Sequence, residues 1–293
     1  MILETWFILA VTSAVAGGVS SFLYKIAAKE RIDIVLLSFC SAVIGTILLF
    51  IALALFSDFS GFWHPMLIFA LLTVTTYLIT NITKVKSLEN IDSAIFFPLY
   101  KVFGPGLVVV FSIVIFSEAF SVYEWVGLIL SFMIPLLLIT KAEDIRQINL
   151  KTGLIWLGIS VLVGSISAVF WKQGADLAPN TWMYIFVGEL FMIPIAFAAL
   201  YKKYKGGFVH QFNTVRRGSF IKVLMVSSIA NTIGAGVFVF ALTTGGTLGI
   251  VYTINSLYIL IPIVLSIIFY KEHWNIRKVV AIILSVVALS FFG

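Results

Sequence analysis

The stretch VTSAVAGGVSSFLYK, residues 11–25, decides the architecture, because GISVLVGSISAVFWK, residues 158–172, repeats it. Ser13, Gly17, Ser21 and Lys25 recur 147 residues later as Ser160, Gly164, Ala168 and Lys172. A second correspondence, offset by 154 residues, pairs Ser112, Glu118 and Ile129-Leu130-Ser131 with Ser266, Glu272 and Ile283-Leu284-Ser285. Two correspondences of nearly the same offset divide the chain into two copies of one unit, and a repeat constrains architecture more tightly than any local propensity.

The solvent of that unit follows from composition. Of 293 residues, 61% are hydrophobic and only 11% are charged, and the mean hydropathy is +1.12. A hydrocarbon core about 30 Å thick takes about 20 apolar residues per helix, and most of the chain divides into runs of that length. The reading is an all-α membrane protein without a soluble domain. A formal charge of +6 would fit nucleic acid, but the basic residues sit in short connectors and act as topology signals. Cys40 is the only cysteine, which excludes an internal disulfide and a cysteine metal cluster; in its apolar run it reads as a small core residue.

Ten apolar stretches run approximately over 5–28, 33–56, 64–86, 92–117, 122–140, 152–174, 180–201, 218–243, 246–270 and 275–292. The first is too long for a leader's apolar region and is echoed by the sixth, so it is read as a retained helix. The polar segment between Lys141 and Lys151 separates the copies, giving a first repeat over 1–141, a connecting loop over 142–150 and a second repeat over 151–293. Five helices per copy is an odd number, so the second copy enters the membrane inverted. The connectors that fall on one face under this scheme, taken with the helix ends beside them, hold 16 of the 19 Lys and Arg residues, and the connectors of the other face hold none. The positive-inside rule then places the basic face in the cytoplasm and both termini outside. Ser121 with Glu124 has capping-box spacing, and Asn275 holds the matching N-cap position. Glu118 and Glu272, three residues before those caps, read as structural acids at helix ends, with a coupling role as the alternative.

Polar groups at membrane depth need a partner, a cavity or a substrate. Lys101 and Glu189 each lie about ten residues into an apolar stretch, near mid-depth by helical rise. Asn255 is the repeat-mate of Lys101, and Asn231, Tyr77 and Tyr252, with Asn81 and Tyr100, add hydrogen-bonding groups at similar depths. Together they point to a central cavity in which Lys101 meets a carboxylate or phosphate and Glu189 an amine or proton. The alternative is a Lys101–Glu189 pair that only holds two helices in register. Lys25 and Lys172, with neighbours Tyr24 and Trp171, fall near opposite faces and read as gates or as snorkelling anchors with interface aromatics. Small-residue stripes (Ser13, Gly17, Ser21; Ser160, Gly164, Ala168; and Ser227, Asn231, Gly234, Ala235) read as packing seams. No P-loop, His-Glu-x-x-His or Gly-x-Ser-x-Gly pattern is present, so no ATP site, metal or enzymatic activity is expected.

Two five-helix halves, each closing on an acid before a capped last helix (Phe116-Ser117-Glu118 and Tyr270-Lys271-Glu272), resemble the EamA-like branch of the drug/metabolite transporter superfamily over essentially the whole chain. The resemblance implies a ten-helix inverted-repeat carrier that works by alternating access. It implies no cofactor, with proton or ion coupling or plain exchange as the source of work. The expected partners are a small-molecule substrate and the lipid bilayer, in a monomer or homodimer of a multi-pass protein of the prokaryotic plasma membrane. The substrate expected is an amino acid or related carboxylate, exported or exchanged. A sugar phosphate, another organic anion or a drug is the alternative within the same fold, with a lipid flippase subunit or an intramembrane enzyme further removed. The family arrangement keeps both termini in the cytoplasm, whereas the loop charges here place them outside.

Overall fold

A computed structural model describes residues 4–29, 33–57, 59, 64–91, 93–138, 149–205, 218–270 and 275–293. Of these, 89% are helical, with no strand among them. The helices are α1 (Thr5–Lys29), α2 (Ile34–Phe56), α3 (His64–Leu88), α4 (Ser93–Phe116), α5 (Val122–Leu137), α6 (Leu150–Leu177), α7 (Thr181–Tyr204), α8 (Gly218–Thr243), α9 (Leu248–Ser256), α10 (Leu260–Tyr270) and α11 (Ile276–Leu289). A 3₁₀ turn, Leu257–Ile259, joins α9 to α10. Among the described residues, eight spans are long and apolar enough to cross a membrane, the stretch from Leu248 to Phe269 counting as one. The stretches expected over 122–140 and 275–292 are shorter helices, α5 with 16 residues and α11 with 14. At 1.5 Å per residue neither reaches the length of a full hydrocarbon core.

The ninth stretch is broken for a covalent reason. Pro262 lacks the N–H that a continuous helix would donate to the Tyr258 carbonyl, so the turn upstream tightens. The break is held against α1, where a side chain at Gly17 would meet the Tyr258 ring at 3.5 Å and one at Gly18 would overlap Ile261. Glycines there let the backbone of α1 approach the kink.

The main pairings are α1 on α8, α3 on α6, α2 on α7, α5 on α11, α4 on α6 and on α9, and α1 on α9 and α10. Exchanging the two halves of the chain maps this set onto itself. Hydroxyl groups stitch the seams: Ser13 Oγ donates to the Gly234 carbonyl at 2.8 Å, and its repeat-mate Ser160 donates to the Thr80 carbonyl at 3.2 Å. Ser167 donates to the Thr73 carbonyl at 3.3 Å and Ser87 to the Gly153 carbonyl at 2.8 Å, along α3 and α6.

Helix ends are also tied across the structure. Glu118 follows Ser117, whose φ of 55° turns the chain sharply out of α4. Its carboxylate accepts from the backbone N–H groups of Leu248 at 2.7 Å and Gly249 at 3.2 Å. It thereby caps α9, whose own N-cap, Thr247, supplies no side-chain bond. A helix N-terminus presents unpaired donors and a partial positive charge, both matched by a carboxylate. The role expected of Glu118 as a structural acid is visible here, and Glu272 lies outside the described residues. The expected capping box at Ser121 and Glu124 is formed, and Asn275 caps α11.

Helices α2 and α7 run antiparallel and are joined at both ends. Asn180 caps α7 and donates to Ser57 Oγ at 3.0 Å. At the opposite end Asp33 caps α2 through the Val35 and Leu36 N–H groups, and it accepts from Lys203 Nζ at 2.6 Å and from the Tyr204 hydroxyl. Partial burial pushes the Asp33 carboxyl up, but bonds from Lys203, Tyr204 and the Leu36 N–H, with the charge of Lys203, outweigh it and hold the group below its ordinary value of 3.8. A carboxyl lowered by folding contributes stability that is complete above its unfolded value and is lost as pH falls through the folded value. Asp33→Ala should therefore reduce stability by about 1–2 kcal/mol at neutral pH, mostly through the lost cap. Thermal unfolding in detergent from pH 7 to pH 3 checks this: the difference between wild type and variant should shrink toward the acid end.

Candidate functional site

Helix α4 carries Lys101 between Pro98 and Pro105. Pro105 lacks the N–H that would bond the Lys101 carbonyl, so the helix is loosened where the lysine leaves it. The Lys101 side chain is 6% exposed. Its Nζ lies 3.5 Å from the centroid of the Tyr258 ring, inside the 3₁₀ break, and 5.9 Å from that of Tyr100. The Tyr258 hydroxyl interacts with Lys101 and with Ser21 of α1. Tyr100 stacks on Phe96 at 5.5 Å and interacts with the hydroxyls of Tyr252 and Tyr77. Lys84 of α3 places its Nζ 4.6 Å over the other side-chain partner of this group, the Tyr100 ring. The site is thus two ammonium groups among tyrosines from α3, α4 and the broken α9–α10 segment, with a serine from α1.

Of the residues singled out in the sequence, Lys101, Tyr77, Tyr100 and Tyr252 come together here. Asn255 faces the same α1 seam but is committed to it, its Nδ2 donating to Ser13 Oγ at 2.6 Å. Among the described residues no ion pair joins Lys101 to Glu189. Glu189, half-buried on α7, lies instead with Thr232 of α8 over Gly45 of α2. Asn231 is half-buried on α8. The two intramembrane charges therefore occupy different helix groups, one around α4 and one around α2, α7 and α8.

Lys172 is anchored. Its Nζ donates to the Leu242 carbonyl at 3.2 Å and pairs with Asp176 at 3.0 Å, which ties α6 to the end of α8. Trp171 packs edge-on against Tyr184 at 5.7 Å. The side chains of Tyr24 and Lys25 lie outside the described residues.

Lys84 and Tyr258 were not singled out in the sequence, and Ser21 read there only as part of a packing seam. Lys84 was counted with the basic connectors because it lies near the end of its apolar stretch, yet α3 continues to Leu88. Its spacing of seven from Tyr77, two helical turns, carried the signal. Tyr258 likewise follows Tyr252 and Asn255 at steps of three, the period of a tightened turn.

The family model of EamA-like transporters matches the chain from residue 4 to residue 140. That family is part of the drug/metabolite transporter superfamily, whose members are membrane transporters and not enzymes. With its apolar spans and that match, the chain is an integral multi-pass membrane protein. A solved crystal structure of a protein, 12% identical, aligns with a TM-score of 0.73 over 99% of this chain and 96% of that one. At that identity the likeness shows the fold alone. No curated protein matches the chain.

Gly45 makes the Glu189 site possible. A Cβ there would stand 2.9 Å from Thr232 Oγ1 and 3.3 Å from Glu189 Oε2. Gly45→Ala should force α2, α7 and α8 apart locally and destabilise by about 1–3 kcal/mol. A drop in apparent Tm that is reduced by the additional change Thr232→Ala checks this contact.

Proposed function

We propose that this EamA-like chain is a secondary transporter for a small carboxylate-bearing metabolite, amino acids included, that engages Lys101. The carrying observation is Lys101 itself: a buried ammonium with tyrosine rings and hydroxyls around it and no carboxylate pairing with it among the described residues. An intramembrane charge is expensive unless it is paired or used, and a substrate acid would supply the missing partner. Glu189, standing in another helix group, fits proton uptake better than it fits a clamp on the substrate's amine.

The mechanism proposed is alternating access between two inverted five-helix halves, residues 1–141 and 151–293, with 142–150 as the connecting loop. Three observations support it. The helix pairings map onto themselves when the halves are exchanged, α2 and α7 are antiparallel repeat-mates, and Ser13 and Ser160 make matching bonds in the two halves. The kink between α9 and α10 lies at the site, as broken helices do in carriers of this design. An organic anion such as a sugar phosphate is a second reading that the two lysines favour.

Proteoliposomes holding the purified chain test the assignment. Counterflow of a labelled carboxylate should fall about tenfold or more in Lys101→Ala, the loss expected when a charge-assisted bond to the substrate is removed. Unchanged counterflow would sink the role of Lys101. The basic face is proposed to lie in the cytoplasm with both termini outside. A cysteine added at the amino terminus of a Cys40→Ala background should then react with an impermeant maleimide in intact cells.

A further inference from the structure

Lys84 is the charge that the carboxylate reading leaves unused. Its Nζ stands 4.6 Å from the centroid of the Tyr100 ring, and Lys101 Nζ stands 5.9 Å from the same centroid. Those two distances together bound the separation of the ammonium groups. Two like charges near one another in a poorly screened interior repel, and tyrosine ring faces attract them without neutralising them. Among the described residues neither lysine pairs with a carboxylate.

The bland account of Lys84 is snorkelling, since it lies only one turn from the end of α3. A snorkelling side chain reaches for the interface. Here the ammonium instead stands over the ring of Tyr100, which is 7% exposed. Lys86, two residues on, turns to another face and lies 4.3 Å over Trp156 of α6. The pair of lysines thus splits between an outer aromatic contact and an inner one.

We propose that Lys84 and Lys101 form one two-cation site for a small dianion, a phosphate monoester or a dicarboxylate, lined by Tyr77, Tyr100, Tyr252 and Tyr258. This rests on the transporter reading and sharpens it. Lys101 takes one negative charge and Lys84 the second, while the tyrosine hydroxyls and Ser21 supply donors to the remaining oxygens. A monoanion satisfies only half of the site.

The test is the apparent Tm of the full chain in detergent, because a ligand of the folded state raises it. The probes are glycerol 3-phosphate and succinate as dianions, lactate as a monoanion and glycine as a zwitterion. At least one dianion should raise the Tm more than lactate does, and whichever does so distinguishes the phosphate from the dicarboxylate. Lys84→Gln should weaken the dianion by about tenfold or more and bring it to the level of lactate, with lactate itself changed less than about twofold. Lys84→Arg should restore the preference. Lys101→Gln should weaken dianion and monoanion alike. Equal binding of lactate and both dianions, lost together in Lys101→Gln and untouched by Lys84→Gln, would overturn the second cation and leave the Lys101 assignment standing. A Tm unmoved by any acid probe would overturn both.

Discussion

Inside a bilayer a backbone or hydroxyl group finds no water, so polar atoms that α1 and α6 bring to their seams gain by bonding within their own helix or to a neighbouring one. That constraint explains why the hydroxyls of Ser13 and Ser160 reach carbonyls on α8 and α3, and why glycines follow at Gly17 and Gly164. Lipid gives little hydrophobic drive for helix association, and close contact between small residues supplies it. The site inherits its shape from these seams. Tyr258 is held where it is because α1 offers Gly17 and Gly18 instead of side chains, and Lys101 lies over the ring so held.

The copies differ where the chemistry is. Lys101 and Asn255 are repeat-mates, yet Asn255 spends its amide on Ser13 while Lys101 meets aromatic rings. One position stabilises a seam and the other is left with an unmatched charge. Duplication would supply a symmetric frame, and divergence at a few mid-depth positions makes one side of that frame polar. Glu189, over Gly45 and beside Thr232, marks a further departure from symmetry in a separate group of helices.

Much of the frame was legible in the sequence, because apolar run length, small-residue spacing and cap chemistry are local signals. The seams of α1 and α6, the capping box at Ser121 and the apolar spans follow from them directly. The break in the ninth stretch was less legible, since a proline inside an apolar run reads equally as a kink or as a tolerated interior residue. The grouping of charges was not legible at all. Lys101 and Glu189 lie at similar depths, but depth along a helix says nothing about which neighbour the helix faces. Lys84 was hidden by the opposite problem, a side chain turned onto the Tyr100 ring from a position typical of a connector.

Glu118 carries a consequence for how the molecule is made. Its carboxylate completes the first turn of α9 from 130 residues upstream, so the second half does not contain everything its own helices require. During synthesis the acid is in place long before Leu248 emerges, and α9 can start on a site already prepared by the first half. Two halves that look like interchangeable copies are therefore not equivalent, since the later one borrows a helix cap from the earlier.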